Sequence, residues 1–139
     1  MPDQKSIIKA FLRNYVLFSS MDEAILDDIV NAIKVRILEP GEILYLDGEN
    51  SNDFYIVWSG RLQMTKPKDR DRELANLIIG DFFGEDGLFF NRRLGSVRTL
   101  EKSKIFRFDF SLMVDLFARV PQLRKLLFTA ARSRKTAYD

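Results

Sequence analysis

Two acids, two arginines and several glycines fall within one short stretch of the chain. It reads Phe82-Phe83-Gly84-Glu85-Asp86-Gly87-Leu88-Phe89-Phe90-Asn91-Arg92-Arg93-Leu94-Gly95-Ser96-Val97. Glycine lets backbone N–H groups approach a ligand that a Cβ atom would exclude. An arginine presents a planar fork that matches a phosphate, and a carboxylate accepts hydrogen bonds from sugar hydroxyls. The stretch therefore indicates a site for a ribose phosphate.

The composition excludes several classes of enzyme. The chain has 139 residues, with no histidine and no cysteine, which excludes disulfides, thiolate chemistry and a Ser-His-Asp triad. A zinc enzyme is excluded on the same grounds. The acid pairs Asp69/Asp71 and Asp81/Glu85 lie in predicted turns without a convincing partner. We therefore expect no enzyme activity, no catalytic residue and no metal ligand.

Charge and hydropathy bear on partners and location. A net charge of +2 is too small to argue for a nucleic-acid partner by itself. No apolar run approaches the length of a membrane span, and the N-terminus leads into an amphipathic pattern and not into a secretory signal. We expect a cytoplasmic protein without a membrane span.

Helical patterns occupy the start of the chain. Residues 6–18 carry apolar side chains at helical spacing, and a second stripe follows over 25–33. Ser20 and Glu23 fit a capping box at the start of the second helix. These patterns predict two helices within residues 4–33.

Helical patterns also occupy the end of the chain. Asp109 is a plausible N-cap, and Pro121 suits the first turn of a last helix. Two C-terminal helices are predicted over 109–137. The last helix turns basic, and we expect no direct DNA binding, because the part after Pro121 is too short for a helix-turn-helix domain.

The middle of the chain, residues 34–108, is typical of short strands. Seven or eight apolar runs are separated by turn signals every 8–12 residues. Ser59-Gly60 fits a tight hairpin turn, and the mixed-charge run Lys66–Glu73 fits a solvated hairpin tip. The predicted fold is mainly β with flanking helices: an antiparallel β-roll (a double-stranded β-helix or jelly roll) with N-terminal helices and two C-terminal helices. We expect a single domain over 1–139.

In order and spacing, these features resemble a cyclic-nucleotide-binding domain. Such domains occur in bacterial cAMP-responsive regulators, in regulatory subunits of cyclic-nucleotide-dependent kinases and in cyclic-nucleotide-gated channels. The resemblance rests on four segments: Pro40-Gly41-Glu42, Gly48-Glu49, Phe54-Tyr55-Ile56-Val57-Trp58-Ser59-Gly60 and Gly80-Asp81-Phe82-Phe83-Gly84-Glu85.

The resemblance implies a phosphate-binding segment over 82–97. Glu85 matches the acid that binds the ribose 2′-hydroxyl, and Arg93 matches the arginine that pairs with the phosphate. In this family the last helix closes over the base, so Phe128 and Tyr138 are either a lid or ordinary helix packing. The implied ligand-binding residues are Phe83, Gly84, Glu85, Asp86, Gly87, Leu88, Arg93, Leu94, Gly95 and Ser96.

The segment also departs from the family pattern. It is one residue shorter than usual, with Arg92 where proline is common. Neighbours in an extended segment point to opposite faces, so only one of Arg92 and Arg93 can face the phosphate, and the register favours Arg93. Asp86 is an extra acid, which either caps its helix or, turned inward, repels the phosphate. Ser96 either bonds the phosphate or only starts a strand.

Two functions follow as hypotheses. The first is a regulatory signal-transduction module that binds a cyclic mononucleotide and responds by rearranging its C-terminal helices. It needs no cofactor, and cAMP is favoured over cGMP because Leu94 replaces the hydroxyl that cGMP binders often carry. The alternative is a degenerate domain of the same fold that binds no nucleotide and serves as an interaction or dimerisation module. Its partner is a second copy, through the C-terminal helix, or a downstream effector domain.

Overall fold

The computed structural model describes residues 3–138, and it divides into two compact units that meet between Ile33 and Lys34. The first unit holds α1 (Gln4–Arg13) and α2 (Glu23–Ala32). The extent of one domain over 1–139 stays a prediction, and residues 1, 2 and 139 lie outside the described part.

The start of α2 differs from the prediction. Its N-cap is Asp22, which makes no side-chain cap hydrogen bond, so the capping box from Ser20 is wrong. Glu23 instead pairs with Lys9 and Arg13 of α1. A carboxylate with two cations in reach gains more than one that accepts a single backbone N–H.

The second unit contains eight strands and three helices among its described residues. In chain order these are β1 (Lys34–Leu38), β2 (Ile43–Tyr45), β3 (Phe54–Ser59), β4 (Leu62–Lys66), β5 (Arg72–Leu77), β6 (Phe82–Phe83), α3 (Glu85–Phe89), β7 (Ser96–Thr99), β8 (Ser103–Phe108), α4 (Phe110–Arg119) and α5 (Pro121–Tyr138). The C-terminal helices start as predicted, since the Asp109 side chain accepts a hydrogen bond from Leu112 N–H at 2.8 Å. A short 3-10 helix, Pro67–Asp69, forms the tip between β4 and β5.

The strands form two antiparallel sheets, in the orders β1-β8-β3-β6 and β2-β7-β4-β5. This arrangement confirms the predicted roll. The prediction of a hairpin at Ser59-Gly60 is wrong, because β3 and β4 belong to different sheets. Gly60 has a φ of +93°, and a Cβ there would collide with Ser103, so this turn carries the chain from one sheet to the other.

Alternate residues of both sheets point into a common core. Its fully buried members include Leu38, Val57, Leu62, Phe83, Val97 and Ile105. Tyr138 of α5 belongs to the same cluster, as does Leu94. The core therefore lies directly beneath the segment that joins β6 to β7. No helix within residues 3–138 has the length and hydropathy needed to cross a membrane.

Candidate functional site

The segment 82–97 leaves one sheet and enters the other. Phe83 of β6 pairs with Tyr55 of β3. Gly84 follows with a φ of +93° and allows the sharp change of direction into α3. The loop after α3 ends at Ser96, where β7 begins. Both ends of the segment are therefore fixed by sheet pairing.

Arg93 is the largest fully buried side chain in the described part of the molecule, with 0% exposure. Its Nε donates to Ser51 Oγ at 2.9 Å, and its Nη2 donates to the Asp53 carbonyl at 2.8 Å. Its Nη1 donates to the Gly84 carbonyl at 2.7 Å. The guanidinium also lies 4.1 Å from the centre of the Tyr45 ring, a cation–π contact. Arg93 therefore points inward, as the register predicts, whereas Arg92 is exposed.

The backbone of Arg93 is held as firmly as its side chain. Its N–H donates to the Glu49 carbonyl and its carbonyl accepts from Gly48 N–H, both at 2.9 Å. The turn around Gly48 is thus a second support of the site. A buried cation held from both sides cannot move without breaking this whole set of hydrogen bonds.

The glycines of the segment make room for Arg93. A Cβ on Gly84 would lie 2.7 Å from the Asp53 carbonyl oxygen and 3.2 Å from Arg93 Nη1. A Cβ on Gly87 would collide with the Ser51 carbonyl oxygen. The space beside both glycines is therefore filled by the 51–53 loop and by the arginine.

Asp86 turns inward. Its Oδ1 accepts from Arg93 Nη1 at 3.0 Å and from Gly87 N–H at 2.8 Å, and its Oδ2 accepts from Leu94 N–H at 2.9 Å. The residue is 6% exposed. Of the two alternatives for Asp86, the structure shows the inward one. Its carboxylate neutralises the Arg93 cation and uses two backbone donors of the segment.

Glu85 faces the last helix. Its Oε1 accepts from Arg134 Nη1 at 2.5 Å, while its Oε2 is buried without a hydrogen-bond partner. Burial raises the pKa of Glu85 above its usual value, although the nearby Arg134 cation acts in the opposite direction. One carboxylate thus joins α3 to α5 and keeps one acceptor oxygen unused.

Tyr45 has an unused polar atom as well. Its hydroxyl is buried without a hydrogen-bond partner. Burial, followed by the Asp86 charge, raises the pKa of this hydroxyl well above its usual value. Tyr45 is therefore a neutral side chain whose ring faces Arg93 and whose hydroxyl can still donate.

The remaining predicted site residues surround this centre. Phe83 is buried and stacks on Tyr55 at 5.2 Å between ring centres. Leu88 is half-buried, and Leu94 is buried in the core cluster. A Cβ on Gly95 would lie 2.9 Å from the Thr65 carbonyl oxygen. Phe83 and the side chain of Leu94 thus serve the core.

Ser96 opens β7 and binds the turn before it. Its hydroxyl oxygen accepts a hydrogen bond from Asp47 N–H at 2.8 Å. Lys66 lies beside the same turn and donates to the Leu94 carbonyl at 2.9 Å. The Ser96 hydroxyl therefore already helps to connect β7 to the turn after β2.

The two predicted lid residues have different surroundings. Phe128 stacks on Phe89 of α3 at 5.3 Å between ring centres. Tyr138 is 8% exposed in the core cluster, and its carbonyl accepts from Arg72 Nη2 at 3.0 Å. In this conformation Phe128 packs helix against helix, while Tyr138 closes the core.

Several residues of the site were not identified from the sequence: Tyr45, Ser51, Asp53 and Arg134. Arg134 carries a readable signal, because it follows Ala131 by three residues and precedes Tyr138 by four on the buried face of α5. Ser51 and Asp53 act through a hydroxyl and a backbone carbonyl in a polar turn, where sequence offers no comparable signal. Among residues 3–138, no cluster of acidic side chains could hold a metal ion.

Comparisons with known proteins identify the family of the chain. The family model described as the cyclic nucleotide-binding domain matches residues 35–120, more than half of the chain. A cyclic nucleotide-gated channel of Caenorhabditis elegans is 26% identical over 128 residues, covering 87% of this chain and 17% of the channel. A cAMP-dependent protein kinase regulatory subunit of Yarrowia lipolytica is 31% identical over 85 residues, covering 61% of this chain and 22% of the subunit. The chain thus spans only a small part of these relatives.

The solved structures resemble the chain in fold. The regulatory domain of Toxoplasma gondii PKA, solved with cAMP, superposes with a TM-score of 0.81 at 24% identity, covering 94% of this chain and 50% of that one. The sensor domain of a transcriptional regulator from Pseudomonas aeruginosa gives a TM-score of 0.80 at 18% identity, covering 94% of this chain and 89% of that one.

Proposed function

The chain belongs to the cyclic nucleotide-binding domain family, and on that premise we propose that it binds a cyclic mononucleotide, cAMP in preference to cGMP, and passes the binding event to α5. The proposal makes it a regulatory module and not an enzyme. It also places the protein in the cytoplasm, acting on a second copy or on an effector domain.

One observation carries the proposal: the segment 82–97 contains a fully buried arginine, Arg93, and a buried carboxylate, Glu85, that has an unused acceptor oxygen. A cyclic phosphate has one negative charge, which the Arg93 guanidinium and the N–H groups of the segment would bind. The ribose 2′-hydroxyl would donate to Glu85 Oε2. A cyclic nucleotide supplies both groups in one rigid molecule.

The signal would leave through Arg134. Glu85 is held by this arginine of α5 at 2.5 Å. A ribose that bonds the same carboxylate changes the strength of that ion pair, and so changes the energy of the docked position of α5. A ligand shifts the equilibrium between docked and undocked α5 only by the difference between its affinities for these two states. The hydrogen bond to Glu85 supplies that difference in affinity.

The preference for cAMP rests on Leu94. The side chain directly after the arginine is apolar and 3% exposed. It packs in the core cluster, so position 94 supplies no hydroxyl to the exocyclic groups of a bound guanine. Adenine loses less than guanine, because it has one exocyclic polar group to pair where guanine has two.

A calorimetric titration tests binding. We expect heat with cAMP, weaker binding with cGMP, and loss of both in the Arg93→Ala variant. Arg92→Ala is the matched control, because it removes the same charge one residue earlier from an exposed side chain. Binding that survives Arg93→Ala and fails in Arg92→Ala would overturn the assignment.

A distance measurement tests transmission. The chain has no cysteine, so Thr136→Cys on α5 and Asn76→Cys on β5, both at exposed positions, can carry a pair of labels. We expect the distance distribution between the labels to change on saturation with cAMP. An unchanged distribution, with binding verified in the same sample, contradicts transmission through α5.

A second candidate is a nucleotide-free interaction module. The observation that favours it is the docked α5, which holds Tyr138 in the core and Arg134 on Glu85. In that helix Leu123 and Leu127 are buried, while Leu126 is 48% exposed and remains for a partner. Absence of heat at millimolar cAMP and cGMP, together with self-association in sedimentation, would support this candidate over the first.

A further inference from the structure

The buried arginine already has an anionic partner from its own chain. The two Asp86 oxygens accept three hydrogen bonds, from Arg93 Nη1 (3.0 Å), Gly87 N–H (2.8 Å) and Leu94 N–H (2.9 Å). A carboxylate resembles the end of a cyclic phosphate diester in having two oxygens that share one negative charge. We propose that Asp86 is an internal ligand of the anion site, which a nucleotide must displace and which sets the affinity and selectivity of the domain.

Arg93 does not need Asp86 to keep its position. Three other acceptors, Ser51 Oγ and the carbonyls of Asp53 and Gly84, hold its guanidinium, and Tyr45 covers one face. The arginine is therefore oriented by the scaffold, and the Asp86 carboxylate occupies the one anionic position among its partners.

Some buried polar atoms near Asp86 have hydrogen-bond partners and others have none. Both Asp86 oxygens accept hydrogen bonds, whereas Glu85 Oε2 and the Tyr45 hydroxyl are buried without a partner. Buried polar atoms are normally paired, so two unpaired ones beside a filled anion position indicate a site built for a larger ligand than a carboxylate. A nucleotide can use these atoms in addition to the anion position, and Asp86 cannot.

This difference gives Asp86 a selective role. An inorganic anion offers Arg93 only what Asp86 already provides, and it must also compete with a group that is permanently close by. A cyclic nucleotide adds a hydroxyl donor for Glu85, so it gains contacts that the internal ligand lacks. The apparent affinity is lowered by the fraction of molecules in which the site is free. A site that Asp86 occupies in about nine molecules of ten binds about tenfold more weakly than an open one.

The inference rests on the proposed function, and affinity measurements test it. The variants are Asp86→Ala, which removes the carboxylate, and Asp86→Asn, which keeps its shape without its charge. Asp115→Ala is the control, since it removes one negative charge from an exposed residue on α4. By calorimetry we expect the dissociation constant for cAMP to fall at least about tenfold in Asp86→Ala, with a smaller fall in Asp86→Asn and no change in Asp115→Ala. A dissociation constant for cAMP that is unchanged or raised in both Asp86 variants overturns the proposal.

A second measurement separates this inference from the proposed function. Thermal unfolding is followed against inorganic phosphate at constant ionic strength. We expect phosphate to raise the melting temperature of Asp86→Ala and to leave the wild type and Asp115→Ala unchanged, because only the opened site admits a free anion. If phosphate stabilises Asp86→Ala in this way but cAMP does not bind, the role of Asp86 as an internal ligand is supported and nucleotide sensing is refuted. Should Asp86→Ala not fold, Asp86→Asn takes its place in the comparison. An opened, folded variant that responds to neither phosphate nor cAMP overturns the inference.

Discussion

Replacing Arg93 by methionine should remove a large part of the stability of the fold. The side chain is 0% exposed and donates four hydrogen bonds, one of them to the Asp86 carboxylate. The substitution leaves a buried carboxylate without its cation, and breaking one side of a buried ion pair costs about 3–5 kcal/mol. Domains of this kind are stable by only about 5–15 kcal/mol, so the variant should fold marginally.

Urea unfolding measures the loss. Trp58, the one tryptophan of the chain, is stacked on Phe106 and reports on the sheets by fluorescence. With a urea dependence of about 2 kcal/mol per molar, the midpoint should fall by roughly 1.5–2.5 M. Arg92→Met is the control and should stay within about 0.5 kcal/mol of the wild type, as an exposed side chain does.

The Asp86→Ala/Arg93→Met double variant tests the cause of the loss. With both charges removed, no buried ion is left unpaired, so the double variant should be more stable than the sum of the single losses predicts, by about 2 kcal/mol. Additive losses, or an Arg93→Met variant as stable as Arg92→Met, would refute the reasoning. In either case Arg93 would not be the buried partner of Asp86.

Three further predictions concern the same segment. Burial raises the pKa of Glu85 above its usual value of 4.5, so ionisation of this carboxyl opposes folding. Glu85→Gln should match the wild type below pH 4.5, where the carboxyl is protonated in folded and unfolded chains alike. Its unfolding free energy should exceed that of the wild type as the pH rises through the raised pKa, measured by urea titration at several pH values. Leu94→Thr adds a hydroxyl after the arginine and should lower the dissociation constant for cGMP relative to cAMP by about tenfold, the worth of one hydrogen bond, in paired calorimetric titrations. Gly87→Ala forces a Cβ onto the Ser51 carbonyl and should lower the unfolding free energy by about 1–3 kcal/mol in urea.

The fold was predictable because its signals are local and repeated. Periodicity and turn chemistry predict seven or eight short strands, and the structure has eight among its described residues. They also predict the Asp109 cap and the Pro121 start of the last helix. The hairpin at Ser59-Gly60 shows where such signals fail. A turn sequence reports that the chain reverses, but the sheet to which the next strand belongs depends on contacts with Ser103, far along the chain.

Of the charged residues at the candidate site, the sequence indicated Glu85, Asp86 and Arg93, and it missed Arg134 and the residues that support the arginine. The inward direction of Arg93 followed from register, and the inward turn of Asp86 was one of two open alternatives. Asp86 turns inward because the Leu94 N–H donates to it and because Arg93 is buried. Both are properties of the folded loop and not of the sequence pattern. Tyr45 at the end of β2 and the loop that contains Ser51 and Asp53 support the arginine, and no sequence spacing links them to it.

The pairing of the sheets has a consequence for how the protein folds as it is synthesised. Both β1 and β3 pair with β8, and β2 pairs with β7. β1 and β3 therefore lack their neighbour β8 until the ribosome has released the chain beyond Phe108. Among the described strands, the β4–β5 hairpin and the short β3–β6 pair have both strands available earlier. Such long-range pairing slows folding and leaves strand edges open on the nascent chain. The turn at Gly48 that holds the backbone of Arg93 lies between β2 and β3, and these strands pair with the late strands β7 and β8. We therefore expect the anion site to form only when the roll is complete.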